Sequence, residues 1–280
     1  MEKKYPASTA NGSKKNVLDF ASYIASLTSA RITGVFLERH QGQLQPVLRC
    51  INETPVMQDV TVSPDNSKIC CGKCRDKNHL SGQTCISNQA TSDGVSGELK
   101  SGLAAIIKES RFSDLLILDA QMSIDKDQAG VLSELSKAVL TKSECPVMIA
   151  PYAFESIEEI IFAYDGSPSA VFAIKQFTWL FPGLSDKKLT VLQVNGQEDE
   201  MIKDRDNILS LLQIYYTAIG FRALTGVVSD VLFNYLNGRQ NAMVIMGAFG
   251  SRNISVPAGE STAGPLVKTI NLPLFTAHHR

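Results

Sequence analysis

The chain repeats itself, and that limits its fold more than any other feature. Residues 8–21 (STANGSKKNVLDFA) fall on residues 162–175 (FAYDGSPSAVFAIK), which sets Asn11-Gly12-Ser13 on Asp165-Gly166-Ser167. Further along, residues 111–120 (RFSDLLILDA) fall on 239–248 (RQNAMVIMGA), and 145–150 (CPVMIA) on 272–277 (LPLFTA). Self-similarity at fixed offsets means one supersecondary unit built twice. The offset drops by 26, from 154 (residue 8 against 162) to 128 (residue 111 against 239), so the first copy carries about that much additional chain. The surplus falls between Glu38 and Gly97, a stretch rich in Gly, Ser, Asn, Asp and Pro that reads as loop.

Both copies of the Gly-Ser turn lead into a helix. Val17, Phe20, Ala21 and Ile24 recur at helical spacing in the first, and Ala170, Ala173, Ile174, Phe177 and Phe181 in the second. Short β-rich runs follow at residues 30–36 and 189–194, and again at Met243-Val244-Ile245-Met246. The pattern predicts β-α-β-(α)-β-α-β-α-β in each half. A helix over Asp199 to Ile219 is expected to line up Ile208, Leu212, Tyr215 and Ile219, with its first-half counterpart at Ser67 to Lys77. The opening strand, around Tyr5 to Ala10, is interrupted by Pro6 and is expected to be irregular. Strands alternating with helices argue for a parallel sheet covered on both faces. The expected architecture is therefore α/β: two tandem doubly wound domains of five strands each, residues 1–152 and 153–280, with the first copy degenerate.

Composition removes several functions. The net charge is -1, and neither half is basic: residues 1–150 hold 17 Lys+Arg against 16 Asp+Glu. No charged face recommends a nucleic acid or an anionic membrane. No apolar run approaches the ~20 residues of a membrane span. The N-terminus lacks the apolar core of a signal peptide, so a cytoplasmic location is expected. Among the six cysteines, Cys70, Cys71, Cys74 and Cys85 cluster around His79, but the second spaced pair of a structural zinc site is missing, and burial as small hydrophobes is expected instead. There is no Ser/His/Asp set, no paired histidine ligands and no Gly-Lys-Ser/Thr phosphate loop. The other histidines, His40, His278 and His279, read as surface residues. Neither catalysis nor a metal site is expected.

One constellation stands apart. Met243 to Gly250 reads as a buried strand ending at Gly247-Ala248-Phe249-Gly250, with Ser261-Thr262 opening the next helical segment. Glycines at such a turn allow positive φ and close backbone approach, and free N–H groups at a helix start favour an anion. Ligands on parallel sheets bind beyond the carboxyl ends of the strands, where the strand order reverses. If the first and fourth strands of the second half are neighbours, Tyr164-Asp165-Gly166 and the Gly247 loop flank one crevice. Asp165 would then accept from a sugar hydroxyl or base amine while the glycines receive phosphate. The competing reading of Asp165 is a turn residue or helix cap.

These residues resemble the universal stress protein family in its tandem form, over nearly the whole chain. The family pattern joins an Asp ending the first strand to Gly-x2-Gly-x9-Gly-Ser/Thr after the fourth. Asp165, Gly247, Gly250, Ser261 and Thr262 fall on it. With the flanking Tyr164, Gly166, Val194 and Ala248 they make up the candidate nucleotide-binding set, and the resemblance implies ATP or another adenine nucleotide as its cofactor. Glu260 stands where ATP-binding members have glycine, with Gly259 one place early, and its charge repels phosphate. Pro257 and Pro265 restrict rearrangement of that loop. Weak binding is expected in the second half. The first half has Asn11, Asp119, Met122 and Glu134 at the positions of Asp165, Gly247, Gly250 and Ser261, and is expected to bind no phosphate. The resemblance also implies that halves pair through their last strands, near Val147-Met148-Ile149 and Leu274-Phe275-Thr276. That pairing makes the chain an intramolecular pseudo-dimer, with a homodimer as the further assembly. A scaffold or interaction protein that keeps the fold without nucleotide is the competing function.

Overall fold

A computed structural model describes residues 4–9, 14–40, 43–51, 97–119, 134–195, 201–247 and 271–277. Ten strands form one sheet in the order β3-β2-β1-β4-β5-β10-β9-β6-β7-β8. In the first half β1 (Lys4–Thr9), β2 (Arg31–His40), β3 (Gln43–Ile51), β4 (Leu116–Leu118) and β5 (Val147–Ile149) alternate with α1 (Lys14–Ser26), α2 (Gly97–Ser110) and α3 (Glu134–Lys142). In the second half the strands are β6 (Glu159–Ala163), β7 (Lys188–Asn195), β8 (Ile219–Thr225), β9 (Ala242–Gly247) and β10 (Leu274–Ala277). Their helices are α4 (Pro168–Leu180), α5 (Arg205–Leu212) and α6 (Val228–Leu236). Each half runs third-second-first-fourth-fifth, and the order is mirrored about the β5–β10 junction. The repeat is faithful at its start: β1 and β6 end, and α1 and α4 begin and end, at positions the same 154 residues apart.

Within the second half every pairing is parallel. The halves join by antiparallel pairing of their last strands, with Leu274 on Ile149, Phe275 on Met148 and Thr276 on Val147. In the first half the expected all-parallel order fails at β3, which runs antiparallel to β2 over nine residue pairs. Only Gln41 and Gly42 separate the two strands. That is a hairpin's connection, far short of the dozen or more residues a parallel crossover needs. No helix therefore separates β2 from β3, and the expected Ser67–Lys77 helix lies outside the described residues.

Two further expectations need correction. β1 is a strand despite Pro6, paired along its length with β2 and with β4 only at Ala7 and Ser8. The helix expected over 199–219 is shorter: α5 ends at Leu212, the chain turns through residues 213–215, and Ile219 opens β8. Ile208 and Leu212 are buried as expected, but Tyr216 rather than Tyr215 enters the core. The run Tyr215-Tyr216-Thr217 favours helix poorly.

Strand alternation divides the interior into two layers. Ile160 and Phe162 of β6, and Tyr164 just after it, face α1, α4 and α5, in one cluster with Phe20, Ile24, Ile174, Phe177, Ile208 and Leu212. Ile161 and Val244 face the opposite layer with Ile106, Val139, Leu232 and Leu236 of α2, α3 and α6. Phe177 is the hub of the first layer, its ring centroid 5.9 Å from Phe162, 5.0 Å from Phe181 and 5.4 Å from Phe275 of β10. Phe177→Ala leaves a cavity where no neighbour can collapse, so urea denaturation should show a loss of about 3–5 kcal/mol. A loss under about 1 kcal/mol would remove Phe177 from that role.

Candidate functional site

The last paired residues of β6 and β9 are Ala163 and Met246. Tyr164-Asp165-Gly166 and Gly247 therefore leave the sheet side by side, at the carboxyl ends of neighbouring parallel strands. β7 and β8 lie to one side of β6 and β9 and β10 to the other, so this is where the strand order reverses and where ligands of such sheets bind. Val194, on β7, lies just past the point where Leu192 pairs with Ala163. Five of the nine sequence-predicted residues are thus brought together: Tyr164, Asp165, Gly166, Val194 and Gly247. Ala248, Gly250, Ser261 and Thr262, with Glu260, lie outside the described residues.

The turn after β6 is built by local hydrogen bonds. Oδ1 of Asp165 accepts the Ser167 N–H at 2.9 Å. Gly166 has φ of 78°, a conformation in which a side chain is strained. Oγ of Ser167 accepts the Ala170 N–H at 3.1 Å and caps α4, with Pro168 in the first helical turn. Asp165 therefore does have a turn-forming role, and through only one of its two oxygens in this bond.

Gly247 has a packing role of its own. A Cβ added there would lie 2.7 Å from the Ala170 nitrogen and 2.9 Å from the Ser169 carbonyl carbon. The space that the sequence reading left for a ligand beside this glycine is taken by the backbone of α4. Asp119 follows β4 at the matching place of the first half, and its side chain is buried.

Below the turn lie polar groups that the sequence reading did not single out. Gln193 and Asn195 continue the buried face of β7 after Leu189 and Val191, and both are buried. Nε2 of Gln193 donates to Oδ1 of Asn195, and Oε1 of Gln193 accepts the Lys203 N–H at 3.0 Å. The Lys203 side chain crosses Gly166, its Cδ 2.8 Å from where a Cβ on that glycine would stand. Tyr164 is 3% exposed, and its hydroxyl faces the Asp204 carboxylate. Burial, reinforced by the negative charges of Asp204 and Asp165, pushes this phenol up to about 12, so it stays protonated and can donate at any physiological pH. A polar pair on the buried face of a strand otherwise reading LTVL was the available signal in the sequence.

A second polar cluster sits at the other end of the sheet. Glu159 takes Lys188 at 3.1 Å, the Thr190 hydroxyl at 3.1 Å, and Arg239. It lies at the amino ends of β6 and β7 and clamps the strand bottoms to the turn after α6. Among the described residues no group of His, Cys, Asp and Glu could hold a metal ion, and no helix is long and apolar enough to cross a membrane.

No protein-family model matches the chain. In sequence it is similar to the universal stress protein Slr1230 of Synechocystis sp., with 26% identity over 166 residues; the match spans 58% of this chain and 57% of that protein. The chain thus matches little more than half the length of this curated relative. In fold it is similar to a structure from Pseudomonas aeruginosa UCBPP-PA14 described as a universal stress protein. That likeness has a TM-score of 0.55 at 14% identity, over 99% of this chain and 93% of that one. A protein of unknown function from Pseudomonas aeruginosa PAO1 shares the fold at a TM-score of 0.54 and 15% identity, over 99% and 92% of the two chains. The resemblance to the universal stress proteins is shown in sequence and in fold alike.

Gly247→Ala should destabilise the protein by about 1–3 kcal/mol with no nucleotide present, because its Cβ meets helix backbone that cannot move aside. Thermal unfolding of the purified variant measures this. An unchanged melting temperature would mean that the glycine serves something other than packing.

Proposed function

We propose that this chain, of universal stress protein type, is a stress-response protein whose second half binds an adenine nucleotide in the crevice between β6 and β9. The domains are residues 1–152 and 153–280. The first is a degenerate copy whose work is structural, and the two make a pseudo-dimer within one chain. The location is cytoplasmic, and no catalytic role is assigned.

The observation that carries this reading is the meeting of the Asp165 turn and Gly247 at the strand-order reversal, above the buried Tyr164 hydroxyl. The crevice brings together the Tyr164 phenol, the Asp165 carboxylate and the amides of Gln193 and Asn195. That donor and acceptor set suits a purine base or ribose. The phosphates would fall to the segment carrying Gly250, Ser261 and Thr262. Glu260 in that segment opposes them, so the affinity for ATP is weak.

The scaffold reading draws on Gly247. Its contact with α4 gives the motif's first glycine a reason that needs no nucleotide. Calorimetric titration with ATP, ADP and AMP decides between the two. The nucleotide reading expects weak heats that Asp165→Ala abolishes and Glu260→Gly strengthens about tenfold, the scale of one removed charge repulsion. No heat from either wild type or Glu260→Gly establishes the scaffold. A Glu260→Gly gain that ignores Asp165→Ala puts the nucleotide elsewhere.

A further inference from the structure

Lys203 belongs to no motif in the sequence, yet the fold gives it a fixed root in the crevice. Its backbone N–H is held by Oε1 of Gln193, a buried side chain that is itself tied to Asn195 at the end of β7. Ile202, one residue before, is buried in the same core layer as Tyr164, and α5 begins two residues after. Residues 202–205 are thus anchored on both sides of Lys203. The side chain lies along the Asp165–Gly166 turn: measured from the place a Cβ on Gly166 would occupy, its Cβ is 3.5 Å away, its Cγ 3.8 Å and its Cδ 2.8 Å. A side chain on Gly166 would have to displace that stem and would be strained at a φ of 78°. Lys203 as a whole is exposed, so its apolar stem can lie on the turn while the ammonium keeps access to water.

The surrounding charge makes this cation matter. Asp165 and Asp204 both bear on the Tyr164 hydroxyl with negative charge. A nucleotide entering here brings further negative charge toward two carboxylates, and a cation at the rim offsets that repulsion. A lysine is suited to the task, being a compact point charge on a flexible stem that follows a phosphate rather than demanding one fixed geometry.

Building on the nucleotide reading above, we infer that Lys203 is a binding residue for the anionic end of the ligand. It discriminates nucleotide from nucleoside by reaching across Gly166 to the phosphates. The charge that Glu260 sets against phosphate is thereby offset. The crevice takes nucleotides through Lys203 as well as through the motif that follows β9.

Titration of the full chain with ATP and, separately, with adenosine tests this. Lys203→Ala should weaken ATP by about tenfold, the scale of one charge-assisted contact, while leaving adenosine within about twofold. Lys203→Arg should retain most of the ATP affinity, because the charge remains. In the wild type, added salt should weaken ATP more than adenosine. ATP and adenosine falling together in Lys203→Ala would make the residue a structural strap and overturn the assignment. ATP unchanged in Lys203→Ala would overturn it as well, with the crevice reading intact. A wild type that binds neither ligand removes the crevice reading and this assignment with it. The melting temperature of Lys203→Ala should stay within a degree or two of wild type, so a lost fold is not mistaken for a lost contact.

Discussion

Three residue pairs hold the molecule together as one sheet. β5 and β10 run antiparallel, Thr276 sits against Val147, and its hydroxyl donates to the Val147 carbonyl at 3.3 Å. Without that seam each half would end in a bare edge of three or four apolar residues, Val147-Met148-Ile149 on one side and Leu274-Phe275-Thr276-Ala277 on the other. All seven are buried. The seam removes two edges at once, the standard solution to the danger of exposed strand edges. Much else follows from it. Helices α1 and α4 come together over one face, so a single apolar layer runs from Phe20 to Phe177 across the junction. The segment between the halves is strapped down on both sides. Phe154 packs on Phe20 and Tyr23, the Tyr152 carbonyl accepts from Asn16, and the Ala153 backbone exchanges two hydrogen bonds with the Asn271 side chain.

With the seam at the outer strands, the inner pair β6 and β9 is left to make the second half's crevice, and β1 and β4 to make the first half's. The two diverge in chemistry while sharing topology. Where Gly247 lets β9 run against the backbone of α4, the first half has a buried Asp119. In the second half the crevice floor is polar by design of one strand. Gln193 and Asn195 follow Leu189 and Val191 on the same face, so β7 changes from apolar to polar within four residues. A buried amide pair and a buried phenol are expensive in a core and useful under a ligand.

The duplicated architecture was legible because apolar periodicity survives even where identity does not. The matching of STANGS to FAYDGS sets the two first helices in register, and α1 and α4 begin and end the same 154 residues apart. What escaped was set by lengths and by local competition. Reading two half-repeats as equal hid the two-residue connection at Gln41-Gly42, which forces a hairpin at β3. The Tyr215-Tyr216-Thr217 run ended α5 early although Ile208 and Leu212 keep helical spacing. The turn at Asp165 and the strand end at Gly247 were legible, because both leave signatures in sequence. The contacts of Gln193 and Lys203 were not, because they are tertiary, between β7, the residues before α5 and the turn. Gly247 carried two explanations in the sequence, close ligand or close backbone, and only coordinates revealed the helix lying against it.

The division of labour between the halves is the proposition on which the functional account stands. Hydrogen–deuterium exchange of the intact chain, with and without saturating ATP, addresses it most directly. Slower exchange with ATP at residues 163–167 and 201–204, and none at 4–9 or 116–119, is the result the account predicts. Slowing confined to the first half, or equal in both, would contradict it.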